Sequence, residues 1–181
     1  MAYLPNLIFC TLLIISVGFF TRNLKRIKRN IGLGRDLDRN DYPKLRLKNM
    51  LLLAFGQKKM VNRPVVGILH LIVYVGFILI NIELLEILLD GIIGTHRLFA
   101  PYLGPFYNFL IAMFEIFALL VLVAVIFFWT RRNISKIKRF WKSEMKGWPK
   151  QDADNILYFE VILMVLFLSM NATDSLLQNF G

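Results

Sequence analysis

FYNFLIAMFEIFALLVLVAVIFFWT, residues 106–130, carries a single charged group, Glu115, and is followed at once by Arg131 and Arg132. At about 1.5 Å per residue a helix over this stretch is roughly 37 Å long, enough to cross about 30 Å of hydrocarbon. A run of this length has no place in a small soluble core, so it predicts a membrane span. Leu4–Phe20, Val65–Ile82 and Ile156–Thr173 have the same apolar character, which makes four spans. The predicted fold is an all-α, integral membrane four-helix bundle forming a single domain.

The charges orient it. Of the 22 Lys and Arg residues, all but Arg97 fall in the segments Arg22–Arg63 and Arg131–Lys150. The bias of cationic loops toward the cytoplasm therefore places both segments inside. The N-terminus, the Asp90–Pro105 loop and the C-terminus then lie outside a cytoplasmic (inner) membrane. The net charge of +10 needs no nucleic acid to explain it, because the cations flank apolar runs. The cluster Arg22–Arg29 follows the first apolar run instead of preceding it. That is the reverse of a secretory signal, so the run is expected to remain as an anchor.

The chain is 57% hydrophobic, with 16 Phe, which leaves no room for a second soluble domain. Cys10 is the only cysteine, so disulfides and an iron–sulfur cluster held by this chain are both excluded. Between the spans, Leu45–Phe55 mixes leucines with Lys44, Arg46 and Lys48 and reads as an interfacial helix ended by Gly56. Pro64 is placed to open the second span. Gly91, Gly94, Pro101, Gly104 and Pro105 mark Asp90–Pro105 as a turn or surface loop. Trp129, Trp141 and Trp148 suit headgroup level.

His70 is the residue most in need of explanation. It lies about 9 Å past Pro64 in an otherwise apolar helix, where a neutral imidazole requires a hydrogen-bond partner or a metal. Haem b, with iron held by an axial imidazole, is the group that uses membrane histidines in this way. Gly67 and Gly76 would let a flat macrocycle approach the backbone. An interhelical hydrogen bond is the plainer alternative. Helical spacing puts Tyr74, Phe77, Asn81 and Leu88 on the His70 face and Glu83, Glu86 and Asp90 opposite it. Those acids either guide protons or end the span at water. Glu115 and Glu160 stand deeper in their own spans and each needs a partner or a wet cavity. His96, about 39 Å from His70 if the helix ran on, cannot share its iron. It reads as a loop histidine or as part of a quinone or proton path with Glu83, Glu86 and Glu115. Hydrolytic and nucleotide-binding patterns are absent.

Arg46-Leu47-Lys48-Asn49-Met50, Phe55-Gly56-Gln57-Lys58-Lys59, then Pro64 with Gly67-Ile68-Leu69-His70 and Gly76-Phe77, form a pattern with Phe140–Pro149 and Met170–Asp174. It resembles the membrane domain of heterodisulfide-reductase-like (Fe–S)-binding oxidoreductases, which is similar to the nitrate reductase gamma subunit. The resemblance implies a b-type cytochrome passing electrons between a quinone pool and cytoplasmic iron–sulfur centres, with His70 matching the second-helix haem ligand. It also implies a facing histidine from a later helix and an iron–sulfur subunit or domain as partner, so this sequence corresponds to an N-terminal portion of that architecture. A non-redox membrane anchor or assembly subunit, or a small proton-coupled transporter using Glu115 and Glu160, remain the competing expectations.

Overall fold

The computed structural model describes residues 4–35, 40–58, 60 and 64–174, with the side chain of residue 139 excepted. The polar stretch at 36–39, residues 61–63 of the first basic segment and the C-terminal 175–181 lie outside the described residues. Every regular element described is helical: α1 Leu4–Gly32, α2 Pro43–Met50, α3 Pro64–Ile93, α4 Ala100–Leu103, α5 Pro105–Asn133 and α6 Trp148–Thr173. Four of these, α1, α3, α5 and α6, are long and apolar enough to cross a membrane. The chain is all-α, with the helices of a membrane bundle.

Each long helix extends beyond its apolar run. The helix α1 carries on through the cations Arg22–Arg29 to Gly32, because Leu24, Lys25, Arg26 and Lys28 favour helix once a turn is nucleated. Pro43 opens α2, which continues as a π-helical turn over Leu51–Phe55 and stops at Gly56, whose N–H donates to Leu51 O at 2.7 Å. Pro64, Pro105 and Pro149 stand at the starts of α3, α5 and α6, where a missing N–H breaks no intrahelical bond.

The chain forms two compact units, Met1–Lys59 with Leu85–Leu98, and Met60–Leu84 with Phe99–Gly181. In the first, the start of α1 meets the end of α3. Asn6 Nδ2 donates to Gly91 O at 3.1 Å, and the Phe9 ring fills the space where a Cβ on Gly91 would stand. Gly91 thus lies inside α3 and admits a neighbouring ring; it does not break the helix. Gly94, with φ +85, makes the turn that follows.

The second unit is built on α5 and α6. Tyr107, Ile111, Phe114, Ala118, Val121 and Val125 are buried along α5 at alternating steps of four and three, the spacing of a continuous seam. Ala118 and Ala124 are fully buried, and such small residues let membrane helices approach closely. Met164 and Phe167 of α6 and Ile80 of α3 complete the core. The contrast with α1 is large: none of its most apolar stretch is buried, against 33% for α5.

Candidate functional site

The first half of α3 carries the candidate histidine. Gly67 is buried and His70 and Tyr74 half-buried, three residues at helical spacing on one face, while Phe77 on the next turn is 63% exposed. His70 Nδ1 is buried and has no hydrogen-bond partner among the described residues. A buried ring nitrogen left without a partner carries a cost of roughly 1–3 kcal/mol. Gly76 has a different neighbour: a Cβ there would come within 2.5 Å of Val121 Cγ2, with Phe117 next to it. Its lack of a side chain lets α3 and α5 pack.

The acids of α3 behave differently from the imidazole. Glu83 and Glu86 are 1% and 2% exposed, so both are covered by protein. Asp90 organises the following turn: Oδ1 accepts from Thr95 Oγ1 at 2.6 Å and from Leu98 N at 3.2 Å, and Oδ2 accepts from Arg97 N at 2.8 Å. This explains how Arg97 can hold φ 57 and why the loop is ordered despite its glycines. Arg97 itself is buried, whereas His96 is exposed. Glu115 and Glu160 are half-buried on α5 and α6. Glu83 stands thirteen residues beyond His70 on α3, about 20 Å along its axis, so helix geometry keeps the acids and the imidazole apart.

A second polar constellation closes the basic end of α5 and α6. Arg132 Nε pairs with Asp154 Oδ1 at 2.7 Å, and Lys150 Nζ with Asp154 Oδ2 at 2.7 Å. Asn133 Nδ2 donates to Asp154 Oδ1 at 3.3 Å, and Lys150 Nζ donates to Asn133 Oδ1 at 3.1 Å. Trp141 reaches back from the loop, its Nε1 donating to Arg132 O at 3.3 Å, and Lys150 and Lys136 lie 5.1 and 5.7 Å from its ring. Both Asp154 oxygens are used, by two cations and an amide, so this set is a structural lock.

Reading Arg131–Lys150 only as a topology signal missed that lock. A signal was present: Arg132 falls seven residues after Val125, in register with the buried seam of α5, and Lys150 precedes Asp154 by four residues on α6. Two opposite charges in register with core positions indicate a buried pair.

Among known proteins, the chain is 30% identical over 133 residues to the probable iron-sulfur-binding oxidoreductase FadF of Bacillus subtilis (strain 168). The match covers 74% of this chain and 18% of that protein, so the chain spans less than a fifth of its relative's length. No family model and no solved structure matches.

Proposed function

We propose, proceeding from that likeness to an iron–sulfur-binding oxidoreductase, that this chain is a membrane electron-transfer module, cytochrome b-like, joining a quinone pool to cytoplasmic iron–sulfur centres carried by a partner subunit or domain. The observation that carries the proposal is His70 Nδ1, buried in an apolar helix without a partner among the described residues. An imidazole left unsatisfied by its own fold is suited to a metal-bound group. The residues present fit a haem b: His70 would hold it through an imidazole nitrogen, and Gly67, on the same helix face, would leave room beside that ring. Gly76 is assigned to helix packing against Val121. Haem supplies one-electron chemistry when bound. The chain's own part is to hold the group in an apolar setting.

The orientation proposed keeps both basic segments in the cytoplasm, where an iron–sulfur partner would meet them. After Cys10→Ala, single cysteines at Lys44 and Lys142 should resist a membrane-impermeant thiol reagent in intact cells. Labelling of either reverses the topology. Glu83, Glu86, Glu115 and His96 are kept as a proposed quinone or proton path, to be tested by quinone-linked turnover in their Gln variants.

The deciding experiment is a dithionite-reduced minus oxidised spectrum of the protein purified with its partner. A b-type band in the wild type and its loss in His70→Ala, with the protein still in the membrane, is the expected result. A full band in His70→Ala places the iron elsewhere. A wild type without any band leaves the non-redox anchor as the function, a reading that the presence of a single span histidine favours.

A further inference from the structure

Below the Asp154 lock, α5 and α6 leave a cleft of about 270 Å³ lined by Ile126, Trp129, Tyr158, Val161 and Ile162. Its exposed lining is entirely apolar, and both helices that form it have the length and composition of membrane spans. On α6, Lys150, Asp154, Tyr158 and Ile162 follow one another at steps of four, so they share a face. Asp154 therefore stands one turn, about 6 Å, and Lys150 two turns, about 12 Å, beyond Tyr158 toward the basic end. At that end residues 131–154 hold eight Lys and Arg against Glu144, Asp152 and Asp154, a surplus of five positive charges. The lock consumes only one carboxylate. Lys136, Lys138 and Lys142 stay exposed, and Lys136 and Lys150 flank the Trp141 ring.

We infer that this is a binding site for one anionic phospholipid, with an acyl chain in the Trp129–Tyr158 cleft and the phosphate among the loop cations. The two halves are stacked along the helix axis in the order a phospholipid presents them. A slot whose exposed lining is apolar accepts hydrocarbon and disfavours a polypeptide backbone, whose N–H and C=O groups need polar partners. Basic pockets between spans recognise anionic headgroups, at roughly 1 kcal/mol per Lys or Arg near the surface. The inference rests on the membrane-spanning reading and is independent of haem.

The test is native mass spectrometry of the purified full chain, titrated with phosphatidylglycerol and with phosphatidylcholine of identical acyl chains, with glycerol phosphate as competitor. One phosphatidylglycerol should be retained at about tenfold lower concentration than phosphatidylcholine, a preference of the size that a few cations supply. Combined Lys138→Gln and Lys142→Gln, at exposed positions outside the lock, should cut that preference by more than half. Ile162→Trp, which fills the cleft from an exposed position, should weaken retention of both lipids. Circular dichroism confirms the helices, and Ile162→Phe serves if the larger ring disturbs them. Equal retention of the two lipids overturns the inference, as does an undiminished preference in the lysine variant. Displacement by glycerol phosphate would mean a phosphate site only.

Discussion

The two polar places in the unit built on α5 and α6 are opposites. At the basic end, Asp154 is surrounded by Arg132, Lys150 and Asn133, and each of its oxygens has a partner. On α3, His70 has a buried nitrogen with no partner among the described residues. The first is a polar group that the fold has satisfied, so its chemistry is spent on holding two helices and a loop together. The second has been left with unused bonding capacity. Buried polar groups in a finished fold are normally paired, so atoms left without a partner among the described residues, here His70 Nδ1 and also Trp129 Nε1 in the cleft wall, are where a ligand is to be sought.

Removing a partner on one side should therefore cost far more than on the other. Asp154→Ala leaves Arg132 buried, 8% exposed, without its counter-charge. Breaking a buried pair in this way costs about 3–5 kcal/mol, read as a loss of denaturant stability in detergent. A change under 1 kcal/mol would show that water replaces the carboxylate and that the lock is decorative. Gly76→Ala comes next. Its Cβ meets Val121, and such overpacking costs about 1–3 kcal/mol. Val121→Ala should recover most of that loss in a double-mutant cycle, and additive losses would mean the contact is not the cause.

His70→Leu should move in the other direction. It replaces an unsatisfied imidazole by an apolar side chain, so the haem-free chain should gain about 1 kcal/mol while its haem binding is lost. A destabilised His70→Leu would mean that the imidazole pairs within the fold after all, which would remove the contrast. Smallest of all, Lys142→Gln should change stability by less than about 0.5 kcal/mol, since the side chain is exposed and outside the lock. Its effect belongs to lipid or partner binding.

Much of this molecule was legible in the sequence. Apolar run length identified four membrane-length helices, and Pro64 and Gly56 marked a start and a stop that the structure repeats. Less legible were the ends. Arg22–Arg29 was read as loop because charge marks the edge of a bilayer, but a helix does not stop where the bilayer does, and α1 continues to Gly32. Gly91 was read as a breaker because glycine lacks helix propensity, yet Phe9 needed the space. His70 stood out by chemistry alone; that Asp90 would tie its own loop, or Asp154 two cations, did not.

Hydrophobicity and charge are properties summed along the chain, and a bilayer responds to that sum. The sequence by itself thus determined helical class and the number of long apolar helices, and its charges predict a sidedness. Pairing is different, because it depends on which side chain arrives opposite which. Only the tertiary structure decided that Arg132 and Asp154 meet across α5 and α6, that Val121 occupies the room in front of Gly76, that Glu83 and Glu86 are covered, and that His70 Nδ1 is left without a partner among the described residues. A ring nitrogen's satisfaction is fixed within a few tenths of an ångström, a scale on which composition carries no information.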